Sequence, residues 1–249
     1  MGKLTKKDYL NSLLFLIFII IFWQIYVMIF KVDSYILPAP SSIIQVFVTK
    51  GTLLLQHSLV TTTEAVIGLF LAIILGIVVA ILLHSLRILR ILFIPYISSL
   101  QMMPSIAIIP LFATWFGFGL FPKVLIIIIF CSFPIIITLV NSFDTVDKDL
   151  LIYMQSLNVS KHQMYKEVYL PLSLSAVFSS IKIATTYALI NAIFAEYIGS
   201  QYGLGVYLKN VSRSFLTADI FAVIIVVIVI TLSLLKIIDI IGKKMTKWV

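Results

Sequence analysis

Six stretches of this chain run for most of a bilayer's width with hardly a charge, and that one feature decides what the chain can fold into. The first, Tyr9 to Phe30, contains no charged residue at all. A helix needs ~20 predominantly apolar residues to cross a hydrocarbon core. Only 11% of the 249 residues are charged and 61% are hydrophobic, against about 25% charged in soluble domains. The expectation is an all-α polytopic membrane protein with about six transmembrane helices. The length leaves no room for a separate soluble domain, so residues 1–249 are read as one transmembrane domain.

A signal peptide competes for the first run. Its apolar region would be ~7–15 residues, followed by small residues at a cleavage site. This run is longer, and Lys31-Val32-Asp33-Ser34-Tyr35 offers no such site, so it reads as a retained span. In Leu37-Pro38-Ala39-Pro40 the two prolines forbid a continuous helix. Ser41 and Ser42 then cap an amphipathic segment, Ile43–Val48, that ends at Gly51-Thr52. The second span is expected from about Glu64 to Leu83. Pro95, Pro104 and Pro110 break the region from Ile91 to Phe118 into a short interfacial helix and a third span near Ser105–Phe116. Gly117-Phe118-Gly119 with Pro122 reads as a turn. The fourth span runs from Lys123 to Phe143, the fifth from Leu172 to Tyr197, and the sixth from Asp219 to Ile238. Gly199 to Thr217 reads as a polar loop.

Six crossings put both termini on one side. With the N-terminus inside, thirteen of the eighteen Lys and Arg residues lie inside and five outside. That asymmetry places both termini, and the segment from residue 144 to 171, in the cytoplasm. The net charge of +8 sits at the ends of apolar runs rather than in one patch, which argues against a nucleic-acid partner. The lone Cys131 lies in an apolar run and reads as a small buried residue. His57, His84 and His162 lack metal-ligand spacing. A phosphate-binding Gly-x-x-x-x-Gly-Lys loop is missing from the sequence, so ATP chemistry is not expected on this chain. No catalytic or metal set is identified.

The longest polar interruption is residues 144–171, DTVDKDLLIYMQSLNVSKHQMYKEVYLP. Leu150, Leu151, Met154 and Leu157 recur at helical spacing and give a first short helix an apolar face. Asn158 tolerates the left-handed conformation that ends helices. Ser160 with Gln163 three residues later is a capping-box pattern opening a second helix. Met164 and Val168 share one face of it, Tyr165 and Tyr169 another, and Pro171 marks its end. Such a helix can lie on the membrane, pack on its own protein, or fill a partner's apolar groove.

The segment resembles the cytoplasmic signature loop of permease subunits of ATP-binding-cassette importers, which runs Glu-Ala-Ala, three residues, Gly, nine residues, Ile, one residue, Leu-Pro. Val168, Leu170 and Pro171 fit its end. Asn158 stands in the glycine's place, and Ile152-Tyr153-Met154 replaces Glu-Ala-Ala. Leu37-Pro38-Ala39-Pro40, Pro104 through Pro110, Trp115 through Gly119, and Ala195-Glu196 through Gly205 are similar to the nitrate/sulfonate/taurine branch. Thr63 through Gly68 and Thr217 through Ala222 look most like permeases for thiamine-precursor (hydroxymethylpyrimidine) solutes. The resemblance implies a type I importer permease in a bacterial cell membrane. It would form a homodimer and receive solute from an extracytoplasmic binding protein. ATP would bind to a partner ATPase dimer. Coupling would fall to Leu157, Asn158, Val159, Ser160, Met164, Tyr165, Val168 and Pro171.

Polar residues within the spans are candidates for the translocation path. Lys182 lies ~16 Å along a helix from Pro171 and either lines the path or snorkels to the cytoplasm. Glu196, near the outer end of the same helix, lines an outer vestibule, pairs with Lys209 or Arg213, or sits in interfacial water. Glu64 has the same choices. Tyr187 and Asn191 lie between Lys182 and Glu196 and can hydrogen-bond a solute or bridge helices. Two other functional classes stay open: an ion-coupled secondary transporter, which inverted repeats would support, and a membrane-embedded enzyme, against which the lack of clustered His or carboxylates counts.

Overall fold

The computed structural model describes residues 6–246. Lys3 and Lys247, counted in the charge asymmetry, lie outside them. Among the described residues all regular structure is helical. The long helices are α1 (Lys6–Ile29), α2 (Pro40–Ser85), α5 (Leu120–Asp144), α9 (Leu174–Gly199) and α11 (Thr217–Met245). Each is long and apolar enough to span a membrane. Shorter helices lie between them: α3 (Arg87–Leu100), α4 (Ser105–Phe116), α6 (Lys148–Ser156), α7 (Lys161–Met164), α8 (Leu170–Leu172) and α10 (Leu204–Arg213).

The heart of the fold is a slab of α2, α5 and α9. Gly68 and Gly76 on α2 let α5 approach closely. A Cβ at Gly76 would stand 2.7 Å from Cγ2 of Ile135, and one at Gly68 would meet Ile127 in the same way. Farther along, His84 meets the ring of Phe143. The pairings 68 with 127, 76 with 135 and 84 with 143 make α2 and α5 parallel. α9 runs the opposite way: Ser142 donates to Ser173 at 3.0 Å, the Cys131 thiol meets the Ala184 carbonyl at 3.3 Å, and Thr61 meets Glu196. Ala72, Ala80, Ala184, Ala188 and Ala192 fill the seams, with Ile135 and Leu139 fully enclosed.

Two parallel neighbours require the chain to return between them. That return is made by α3 and α4, separated by four residues and bent by 104°. The expected third span, Ser105–Phe116, is therefore half of a broken crossing. Alone it covers ~18 Å at 1.5 Å per residue. Pro104 is the N-cap of α4 at the break, with an extended backbone whose φ its ring fixes.

Four other expectations change. α2 does not stop at Gly51-Thr52 but runs unbroken for 46 residues. A glycine inside a helix costs only about 1 kcal/mol, and Ile43, Val46, Leu54, Ser58 and Thr61 keep one buried face across it. Its length, ~69 Å, carries its first turns well beyond a hydrocarbon core. Ser41 and Ser42 do not cap it: Ala39 is the N-cap and Pro40 the first helical residue, a position that suits proline. The Ser41 amide instead donates to Gln24 at 3.0 Å, joining α2 to α1. The polar loop 199–217 contains α10. Finally, Pro171 does not end its helix. The turn before it, Tyr165–Tyr169, is a π-helix whose Leu170 amide reaches back to the Tyr165 carbonyl, and the chain continues helically through Pro171. The wider turn absorbs the carbonyl that a proline ring would strike in a regular helix.

Candidate functional site

Two polar groupings stand at opposite ends of the slab. The first is the segment after α5. Asp147 caps α6 by accepting from the Asp149 amide at 2.8 Å. Asn158 holds φ +54°, and its amide donates to the Gln155 carbonyl at 2.9 Å. The Ser160–Gln163 capping box is complete in both directions. Val146, Met164 and Val168 form a small core of their own, packed by Leu150, Leu151, Met154 and Tyr169. This separates the expected coupling residues. Met164 and Val168 are interior and hold the helices together, whereas Leu157 is 56% exposed beside the equally open Ile152 and Tyr153. Val159 ties back to Met154 through its amide, and Ser160 and Pro171 act as cap and π-turn exit.

The segment is anchored at its root. Arg90 grips Asp144 with both guanidinium nitrogens. Tyr165 shares a 2.7 Å hydrogen bond with Nδ1 of His84, and Phe143, Tyr165, Tyr169 and His84 pack edge to face. Burial, with Tyr169 beside it, pushes the Tyr165 phenol up to about 12, so it keeps its proton at neutral pH.

At the far end, three consecutive amides that open α10 are held by three side chains from other helices. Gly203 donates to Nδ1 of His57 at 2.9 Å, Leu204 to Oγ1 of Thr61 at 2.8 Å, and Gly205 to Oε2 of Glu196 at 2.7 Å. These are the donors a helix start leaves open. Glu196 is fully buried and also accepts from Thr61. Its partners are thus Thr61 and Gly205, not Lys209 or Arg213. Gly205 lies so close to α9 that a Cβ there would overlap the Ile193 carbonyl. Glu64 is buried and paired with Lys123, which also donates to Ser200 at 3.2 Å. Neither carboxylate sits in interfacial water. Lys50 meets Asp219 at 2.7 Å and Tyr207 hydrogen-bonds the same carboxylate, pinning α2, α10 and α11 together. Burial first, and that carboxylate second, push the Tyr207 phenol up.

Sequence reading missed His57, Thr61 and Lys123 as members of this group. A signal was present: His57, Thr61 and Glu64 fall at i, i+4 and i+7, a polar stripe on one face of an apolar helix. Of the remaining path candidates, Lys182 meets Asp239 at 2.5 Å and is partly exposed, so it finds its counter-charge on α11. Tyr187 is half-exposed, whereas Asn191 is buried and donates to the Tyr187 carbonyl at 2.8 Å.

Residues 72–249, which include the 144–171 segment and, from the far-end grouping, the residues of α5, α9, α10 and α11 but not His57, Thr61 or Glu64 of α2, match the family described as the binding-protein-dependent transport system inner membrane component. The chain belongs to this family of importer permeases. It is 29% identical to a probable ABC transporter permease of Haemophilus influenzae, covering 94% of this chain and 96% of that one. It is 27% identical to the formylaminopyrimidine transport permease of Halalkalibacterium halodurans, covering 89% of both chains. It is 28% identical to a putative aliphatic sulfonates transport permease of Bacillus subtilis, covering 98% of this chain and 89% of that one. Among solved structures, it superimposes on a chain of the inward-facing MetNI methionine ABC transporter with a TM-score of 0.61 at 16% identity, covering 78% and 94%. That likeness concerns the fold, a type I importer permease. The chain is a multi-pass membrane permease subunit of an ABC importer.

Proposed function

We propose that the chain forms half of a homodimeric path for a small organic solute, a thiamine-precursor pyrimidine or a sulfonate-like compound. An extracytoplasmic binding protein delivers the solute, and a separate ATPase dimer drives the cycle. The observation that carries this reading is the 144–171 segment. It is a preformed helical pair, rooted in the slab through Asp144 and Tyr165, that leaves Ile152, Tyr153 and Leu157 uncovered. An apolar helical face of this kind fits a groove on a partner. Leu157, Asn158, Val159 and Ser160 form its tip, while Met164, Tyr165, Val168 and Pro171 fix its angle. Coupling then requires this face to bind differently to the two nucleotide states of the ATPase, since only differential affinity shifts an equilibrium. ATP stays on that partner, and no nucleic acid enters the cycle. Both termini face the cytoplasm in this reading, in keeping with the cation asymmetry. For the substrate, the pyrimidine and sulfonate permeases above are equally near relatives.

The test is uptake by proteoliposomes holding the permease, its ATPase and its binding protein. Uptake should vanish with a hydrolysis-dead ATPase. Uptake that continues with that variant, or without any ATPase, would refute the importer cycle.

A further inference from the structure

The break between α3 and α4 falls beside the middle of α9, and it opens on a cavity of about 230 Å³. Non-helical backbone at membrane depth persists where it lines such a space. Four polar side chains border the cavity: Gln101, Ser105, Tyr187 and Asn191. Asn191 is 2% exposed, and its Oδ1 has no hydrogen-bond partner. Its amide nitrogen is already committed to the Tyr187 carbonyl. A buried acceptor left open is unusual, because nearly all buried polar atoms are paired. Beside it, the first turn of α4 carries no side-chain cap; the Ala107 amide is taken by the Pro104 carbonyl at 3.0 Å, and the amides of the lining residues Ser105 and Ile106 are among those a helix start leaves open. Phe130, Phe133 and Phe194 supply aromatic walls, with Met103, Pro104, Ile106 and Ile190 completing the apolar lining. No Lys, Arg, Asp or Glu lines the cavity.

We infer that this cavity is an intramembrane binding site for a small, flat, uncharged heteroaromatic that carries both a hydrogen-bond donor and an acceptor. The donor meets Asn191 and the acceptor meets the start of α4. Aromatic walls favour a planar ring. An unscreened ion would lack a counter-charge in a low-dielectric wall. The volume lies below the ~300 Å³ lower end for drug-sized ligands, which limits the guest to about one ring with small substituents. This deepens the importer reading, on which it rests: between the two solute classes left open above, it selects the pyrimidine.

The experiment measures equilibrium dialysis of radiolabelled hydroxymethylpyrimidine, and separately taurine, against the permease–ATPase complex in nanodiscs without binding protein. Hydroxymethylpyrimidine should bind saturably and taurine should not. Asn191→Leu should weaken binding about three- to tenfold, the loss of one hydrogen bond. Ile106→Trp, at a half-exposed lining position, should abolish binding by filling the space while leaving Asn191 in place. Taurine binding as tightly as the pyrimidine overturns the inference. So does pyrimidine binding unchanged in both variants, or no saturable binding by a complex that hydrolyses ATP. ATP-driven uptake by the parent protein would leave the importer reading standing after any of those results.

Discussion

Glu196 is buried because of what it holds. A carboxylate removed from water is costly unless its oxygens are satisfied, and here one takes the Gly205 amide and the other the Thr61 hydroxyl. Glu196→Ala would leave both donors empty in a closed site, and each unmade bond costs ~1–3 kcal/mol. The Ala variant is therefore expected to unfold several degrees earlier in a thermal melt of the purified protein, and Glu196→Gln, which keeps one acceptor, should fall in between. An Ala variant that melts with the parent would show that the three-amide cap contributes nothing. The sequence marked Glu196 as a polar residue near a helix end but could not reveal its partners. The three groups held in this cap are the backbone amides of Gly203, Leu204 and Gly205, and only the folded chain brings them to α2 and α9. Asn158 is the opposite case. Its left-handed turn and the Ser160–Gln163 box are contacts between near neighbours, so spacing alone exposes them.

At the scale of elements, the proposed coupling segment divides into an inner and an outer face that periodicity could not tell apart. Leu150, Met154, Met164 and Val168 have helical spacing because they pack on one another. The side chains left uncovered for the proposed partner are Ile152, Tyr153 and Leu157, the first two in the stretch that stands in place of Glu-Ala-Ala. Ile152→Asp with Leu157→Asp should cut ATPase co-purification at least tenfold while membrane insertion and the permease melt stay unchanged. Co-purification at the parent level would move the docking face elsewhere. Pro171 was misread for a physical reason. A proline ends a regular helix, but a preceding π-turn shifts the carbonyl that it would strike, and nothing in the residue types of Tyr165–Tyr169 announces a π-turn.

For the molecule as a whole, six crossings were legible from apolar length, and the broken third crossing was not, because its bend depends on α2 and α5 running parallel. Sidedness is open to a direct check. Cys131 is fully buried, and a buried thiol is inert, so added cysteines report alone. Ser214→Cys should react with a membrane-impermeant maleimide on intact spheroplasts, and Ser156→Cys only after permeabilisation. Labelling in the reverse order would invert the topology. The antiparallel seat of α9 in the slab has a mechanical consequence. The single helix α9 starts just after Ser173, which meets Ser142 of α5, passes Tyr187 and Asn191 at the cavity, and carries Glu196 under the α10 cap near its other end. In the importer proposed above, a push at its foot would reach the opposite surface through one continuous helix, as a tilt of the unit. If the path is the homodimer proposed above, access to the solute would alternate by two such units rocking against each other, as a pair of oars turns about its pins.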